Sequence, residues 1–184
     1  MSSKTVFLVR HATPDWSRKD IRYDIPPGPP LVVQGRSEAR LSGLYLQTQG
    51  VQALYASPMD RAAETAAIIG EILGLPVRTA HALTEWTREE KPEQVRGRLL
   101  DFWQTHVVGA DEETIALVTH GGPIGALIEH FEPSIDLNVY KARYDHRNCL
   151  PPAGIWRATR AAPDAPWRWA LVFTPVLSPT SEKR

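Results

Sequence analysis

The apolar positions of this chain follow two rhythms. Residues 5–9 (TVFLV) and 114–119 (TIALVT) are short, almost continuously apolar runs, the pattern of strands covered on both faces. Elsewhere apolar residues recur every three or four positions, which puts them on one side of a helix. In chain order the pattern predicts a first strand at Thr5–Val9 and then a long loop over 14–33, whose five prolines break helices and strand ladders alike. From Gly35, the residues Ala39, Leu41, Leu44 and Leu46 fall near helical spacing, and Gly50 is a helix stop. Val51–Ala56 returns as a strand. Ser57-Pro58-Met59-Asp60 carries helix-start chemistry, with Ser57 as N-cap, proline in the first turn and an acid three residues after the cap. Ala62, Ala66, Ile69 and Leu73 then share a face until Gly74 and Pro76 end the helix.

Residues 77–86 are predicted as a short strand and a loop ending in Leu83-Thr84-Glu85-Trp86. A helix over about Pro92–His106 turns Val95, Leu99, Phe102 and Trp103 inward. The strand Thr114–Thr119 runs into His120-Gly121-Gly122-Pro123 and a helix through Phe131. Gly154–Thr159 and Trp167–Thr174, joined by APDAP, read as a hairpin at a sheet edge, and 177–184 as a frayed tail. Alternating strands and helices of this kind give an α/β fold, a three-layer α/β/α sandwich with a mostly parallel central sheet and right-handed crossovers. At 184 residues the chain is expected to form one domain over 1–184 with a core that needs no staples.

Charge narrows the classes of partner. Lys plus Arg and Asp plus Glu are both 21, so no global field favours nucleic acid or an anionic membrane surface, and any anion site is local. No apolar run approaches the roughly 20 residues of a membrane span. The single Cys149 forms no internal disulfide, and no cationic stretch followed by an apolar run opens the chain, so a cytoplasmic location is expected. Oligomeric state is not set by any of these features.

The chemistry lies where the strands end. Parallel strands present their carboxyl ends on one edge, and ligands bind in the crevice there. That edge collects Arg10 and His11 from the first strand, Ser57 and Arg61 after the second, and His120 with Gly121 and Gly122 after the fourth. Arginine offers a planar fork suited to phosphate oxygens, and the helix start after Gly121 adds the positive end of a helix dipole. An imidazole among them can attack phosphorus and carry the phosphoryl group, because neighbouring cations lower its pKa and keep one nitrogen unprotonated. Taken singly, each residue has a structural reading; their convergence points to a site. A zinc site built from His11, His120 and a carboxylate such as Asp15 or Glu85 is disfavoured, because two arginines in the same crevice repel a dication.

These residues also carry a family resemblance. Val6–Ala12 (VFLVRHA) resembles the Arg-His-Gly signature of the histidine phosphatase superfamily, the phosphoglycerate mutase-like fold, with Ala12 in the glycine position. Leu31–Ala39 (LVVQGRSEA), Ser57–Ala66 (SPMDRAAETA) and Val118–Gly122 (VTHGG) resemble its further motifs, with departures at Val32 and Glu38. The resemblance implies that His11 is the phosphorylated nucleophile, that Arg10, Arg61 and His120 bind the phosphoryl group, and that Glu85 is the proton donor. Glu89 and Glu90 stand near enough in sequence to compete for that last role. Thr13-Pro14 and Ser17 replace the Glu-Thr and Asn that many relatives carry after the signature. Ser17 and Arg22, on the long loop, are candidate substrate contacts beside Gly121, and Trp16, Trp86 and Tyr23 are candidate pocket walls.

A mutase must shield its phosphoenzyme from water, and the mutases of this family use an insertion between the acid and the second histidine for that purpose. The stretch from Glu85 to His120 holds little beyond one helix, which favours a phosphatase acting on a small phosphorylated metabolite with no metal and no cofactor. Mutase-type phosphotransfer and non-catalytic binding of a phosphorylated ligand are the alternatives.

Overall fold

A computed structural model of the chain describes residues 3–144 and 147–176, so the tail expected at 177–184 lies outside the described residues. Its centre is a six-stranded sheet built from β1 (Lys4–Arg10), β2 (Ala53–Ala56), β3 (Val77–Thr79), β4 (Thr114–Thr119), β5 (Ile155–Arg160) and β6 (Arg168–Phe173), in the order β3-β2-β4-β1-β5-β6. β1 pairs parallel with β4, β4 with β2 and β2 with β3, while β5 adds antiparallel to β1 and β6 antiparallel to β5. The hairpin expected at an edge is therefore present, and it begins on the strand that ends in Arg10.

Alternation along the strands divides the core into two faces. Val6 and Leu8 of β1, Ala53 and Tyr55 of β2, and Ile115 and Leu117 of β4 join one cluster. Phe7 and Val9, Leu54 and Ala56, Ala116 and Val118 join the other. A run that looks uniformly apolar in sequence thus feeds both faces, because successive side chains point to opposite sides of a strand. Helices α3 (Pro92–Trp103) and α4 (Gly121–Phe131) cover the first face, and α1 (Val33–Gln47) and α2 (Asp60–Leu73) the second. The three-layer sandwich follows.

Several local expectations shift. α1 buries Gly35, Glu38, Ala39, Ser42, Gly43 and Leu46, while Leu44 stands 54% exposed. The inward stripe is made of small and polar residues because α1 packs closely on α2: a Cβ on Gly43 would lie 2.6 Å from Ile72 Cδ1. α2 starts at Asp60 with Met59 as N-cap, not at Ser57, and Asp60 places its charge in the first turn, where the helix dipole favours it. α3 buries Val95, Leu99, Phe102 and Trp103 as expected, then widens over Gln104–Val108 into a π turn closed by Gly109 N–H on the Gln104 carbonyl, 3.0 Å away. The pattern gave no sign of α5 (Leu137–Arg143), a seven-residue helix capped by the Asp136 side chain that buries only Leu137. So short an element has too few apolar positions to show a period. Among the described residues no helix is long and apolar enough to cross a membrane.

Candidate active site

The carboxyl ends of β1, β2 and β4 lie side by side, and the functional side chains sit on the residues just beyond them. Pairing fixes this. Arg10 stands opposite Thr119 in the β1–β4 ladder, His11 N–H donates to the Thr119 carbonyl (2.8 Å), and Ser57 N–H donates to the Val118 carbonyl (3.0 Å). His11, Arg61 and His120 are fully buried and Arg10 nearly so. The His11 and His120 rings come within 5.2 Å of each other, centroid to centroid.

Hydrogen bonding decides which nitrogen of His11 carries the lone pair. Nδ1 lies 2.8 Å from the Ala12 carbonyl, an acceptor only, so Nδ1 carries the proton and Nε2 carries the lone pair. Nε2 in turn lies 3.1 Å from the Tyr23 hydroxyl, which donates to it. Burial, with the Arg61 and Arg10 charges adding to it, lowers the His11 pKa well below the ordinary imidazole value. The backbone around the ring is pinned as well. Ala12 N–H donates to Thr65 Oγ1 (3.0 Å), which itself donates to the Arg61 carbonyl (2.6 Å) and so links the segment after His11 to α2. The next residue, Thr13, gives its N–H (2.9 Å) and its hydroxyl to the Glu38 carboxylate.

The surrounding groups set the electrostatics. Arg10 Nη1 donates to the Leu150 carbonyl (2.8 Å). Arg61 stacks its guanidinium on the Tyr23 ring, 3.8 Å from the centroid, a geometry that leaves its three nitrogens without a hydrogen-bond acceptor. A buried cation without acceptors is strongly unfavourable, and an anion with several oxygens would satisfy it. His120 Nε2 meets Ser57 Oγ at 2.9 Å, and its pKa is lowered by burial first and by Arg61 next. Glu85 Oε2 lies 3.9 Å from His120 Nδ1, and burial raises the Glu85 pKa, so the carboxyl holds a proton to higher pH than a solvated glutamate.

Glu85 is held in place by its neighbours. Its Oε1 accepts the Trp86 N–H (2.9 Å), Arg98 donates to the Glu85 carbonyl (3.2 Å), and Thr119 Oγ1 donates to the Leu83 carbonyl (2.6 Å). A Cβ on Gly122 would fall 2.8 Å from Oε1, so the helix start after His120 approaches the acid closely only because that residue lacks a side chain.

The structure therefore brings together Arg10, His11, Arg61, Glu85, His120 and Gly121, the N-terminal residue of α4. Ser17 stays apart: its N–H and hydroxyl both bind the Asp15 carboxylate on the exposed side of the loop. Arg22 pairs with Asp24 (2.7 Å) and lines the mouth of a cavity of about 710 Å³ that reaches Glu85, Trp86, Trp16 and Tyr23. Glu90 pairs with Arg98 (2.7 Å) and Glu89 is exposed, so neither competes with Glu85. Among the described residues no group of His, Cys, Asp and Glu is arranged to hold a metal ion. Sequence reasoning missed the direct contacts of Tyr23 with His11 and Arg61, and the supports from Thr65, Glu38 and Arg98. Glu38 had a signal as an acid at a departure from the family pattern, Thr65 as part of the Ser57–Ala66 motif and Tyr23 as a candidate wall, but nothing in the sequence said which residues they would meet.

A curated relative, the 2,3-bisphosphoglycerate-dependent phosphoglycerate mutase of Afipia carboxidovorans, is 34% identical over 90 residues, a stretch covering 46% of this chain and 43% of that relative's length. The fold matches a mycobacterial glucosyl-3-phosphoglycerate phosphatase with a TM-score of 0.71 at 19% identity, over 94% of this chain and 100% of the other. It matches a phosphoglycerate mutase from Bacillus anthracis str. Sterne with a TM-score of 0.76 at 16% identity, over 93% of each chain. At such identities the structural likeness speaks for the fold. The histidine phosphatase superfamily (branch 1) matches directly in sequence over residues 6–89 and 86–150, a span that holds all of the converging side chains, and the chain belongs to that superfamily.

Proposed function

We propose that this protein is a phosphatase that hydrolyses a small phosphorylated metabolite through a covalent phosphohistidine on His11, without a metal ion or a cofactor. One observation carries the reading: the His11 ring is locked with its proton on Nδ1 and its lone pair on Nε2, in a buried site shared with Arg61, His120 and Glu85, whose carboxyl burial makes a weaker acid. In the first step the Nε2 lone pair attacks phosphorus, the phosphorus–ester oxygen bond breaks, and the departing oxygen takes the Glu85 proton to leave as an alcohol. Arg10, Arg61 and His120 hold the phosphoryl oxygens, whose negative charge a buried, preorganised set of donors stabilises far better than water does. In the second step Glu85, now a carboxylate, takes a proton from water as its oxygen attacks phosphorus. The phosphorus–nitrogen bond breaks, its electrons return to Nε2, and inorganic phosphate leaves.

Hydrolysis is favoured over retention of the phosphoryl group by the segment between Glu85 and His120. Its helix and π turn bury Val95, Leu99, Phe102, Trp103 and Val107 in the core, so they pack away from the site and do not cover it. The mutase reading draws on the Afipia relative. Hydrolysis of p-nitrophenyl phosphate with and without EDTA, for wild type and His11→Ala, tests the mechanism: turnover indifferent to EDTA and lost in the variant is expected, and EDTA-sensitive turnover would refute the histidine nucleophile. Conversion of 3-phosphoglycerate to 2-phosphoglycerate with catalytic 2,3-bisphosphoglycerate would establish the mutase instead.

A further inference from the structure

A phosphoryl group must reach His11 Nε2, and a side chain of this chain already fills that place. His11 and Arg61 are fully buried, and neither lines the 710 Å³ cavity in front of the site. Tyr23 lines it and stands between. Its hydroxyl donates to His11 Nε2 at 3.1 Å, and its ring face carries the Arg61 guanidinium at 3.8 Å. The first contact occupies the lone pair that an incoming phosphoryl group would need, and the second lays the ring against the guanidinium whose unpaired N–H groups would hold its oxygens. From outside, Trp16 stacks on Tyr23 with centroids 4.9 Å apart and planes within 17°, while remaining 51% exposed.

The loop that carries Tyr23 is firm at its base and loose at its tip. At the base, Pro14 bridges Leu31, Pro27 accepts the Asp60 N–H (2.8 Å), and Gly28 packs so tightly that a Cβ there would meet Arg61 Nη1 at 2.6 Å. At the tip, Ser17 binds Asp15, Arg18 binds Asp20 and Arg22 binds Asp24, all two residues apart. The ion pair from Arg22 to Glu89, at 3.6 Å between exposed side chains, reaches further but is weak. Beyond that pair, Tyr23 itself and the Arg88 N–H on Asp24, the tip is held by contacts within the loop, and a segment so held opens at low free energy.

We propose that Tyr23 is a gate that occupies the phosphoryl position until substrate displaces it, with Trp16 backing the closed state. The proposal rests on His11 being the phosphoryl acceptor. The gate makes the site selective by size. A bare phosphate ion must displace Tyr23 with its own contacts alone, whereas a phosphomonoester with a body in the outer cavity also gains contacts there that hold the loop open. Affinity for any phosphoryl ligand is lowered by the fraction of time the gate is open.

The test compares orthovanadate binding, by calorimetry and by inhibition of p-nitrophenyl phosphate hydrolysis, for wild type, Tyr23→Phe, Tyr23→Ala and Trp16→Ala. Tyr23→Ala is expected to bind vanadate about tenfold more tightly, the worth of one stacked cation and one hydrogen bond released. Tyr23→Phe, which keeps the ring over Arg61, should gain less. Trp16→Ala touches neither His11 nor Arg61 and should tighten binding a few-fold, which keeps the proposal testable if Tyr23→Ala folds poorly. Carbethoxylation of His11 by diethyl pyrocarbonate should be faster in both alanine variants. Unchanged or weaker vanadate binding in Tyr23→Ala and Trp16→Ala, with His11-dependent turnover intact, overturns the gate and leaves the phosphatase reading standing. Absence of both vanadate binding and turnover in every form overturns that reading and the gate with it.

Discussion

His11 and His120 are buried without charge, and this makes the site a liability at acid pH. Both pKa values lie well below the ordinary value, first because burial removes the imidazolium from water and next because Arg61 repels it. In the unfolded chain each histidine titrates near 6.5, so as pH falls the unfolded state takes up protons that the folded state refuses. The stability these groups provide is complete above the unfolded pKa and is lost as pH falls towards the depressed folded values. Between pH 7.5 and 5.5, an imidazole that stays neutral in the fold contributes on the order of 1 kcal/mol to that loss, and the pair roughly 2–3 kcal/mol. Glu85 works the other way. Its raised pKa lets the folded state bind a proton before the unfolded chain does, so its contribution favours folding at low pH and fades as pH rises through its folded pKa. Urea denaturation at the two pH values, for wild type and for His11→Gln/His120→Gln, isolates the histidines, because Glu85 and all other groups are common to both proteins. Wild type should lose roughly 2–3 kcal/mol more than the double variant on going to pH 5.5. A difference below about 0.5 kcal/mol would mean that the imidazoles titrate in the folded protein much as in the unfolded one, and the account of His11 as a buried, neutral nucleophile would fail.

Glu85→Gln removes the acid, so kcat/KM for an alkyl phosphate should fall about 10²–10⁴-fold, while p-nitrophenyl phosphate, whose leaving group departs unprotonated, should suffer far less; equal losses on both substrates would argue against proton donation. The alkaline limb of the wild-type kcat/KM profile, where Glu85 loses its proton, should vanish in the same variant, leaving the acid limb where His11 gains one. Glu38→Ala strips the buried carboxylate from the Thr13 N–H, the Thr13 hydroxyl and Gln34, and should destabilise the protein by about 1–3 kcal/mol in chemical denaturation, because partly buried donors lose their acceptor; a change under about 0.5 kcal/mol would show that water replaces the carboxylate freely. Ala153 sits at φ 54 with its N–H donated to the His11 carbonyl (3.2 Å), and Ala153→Gly should stabilise by up to about 1 kcal/mol by relieving the left-handed conformation, read as a higher melting temperature; a lower one would mean that the entropy of the added glycine outweighs the strain.

Much of the architecture follows from the chain itself. Continuous apolar strands, helix periods and the glycine and proline punctuation between them are local signals, and they suffice to order β1, α1, β2, α2, β3, α3, β4 and α4 and to place the hairpin at an edge. Parallel pairing then forces the residues after β1, β2 and β4 onto one edge, so Arg10, His11, Arg61 and His120 were legible as a set before any coordinate was known. Contacts between residues far apart in sequence were not legible, because neither propensity nor period encodes them. The inward face of α1 was only half legible for that reason: Ala39 and Leu46 are buried as their spacing suggests, but Gly35, Ser42 and Gly43 have meaning only against Thr13, Ala153 and Ile72. Ser57 looked like the helix cap; its hydroxyl oxygen does accept the Met59 N–H (3.3 Å), but the helix starts two residues later, with Met59 as N-cap, and the carboxyl end of β2 also brings the hydroxyl to His120. The tautomer of His11 depends on the Ala12 carbonyl, and the state of Glu85 on its burial beside two arginines, conditions that exist only once the sheet has formed. Tyr23 shows the division most clearly. In the sequence it is one aromatic on a proline-rich loop, and only the folded loop lays it between His11 and the cavity, because burial and proximity are properties of the assembled chain.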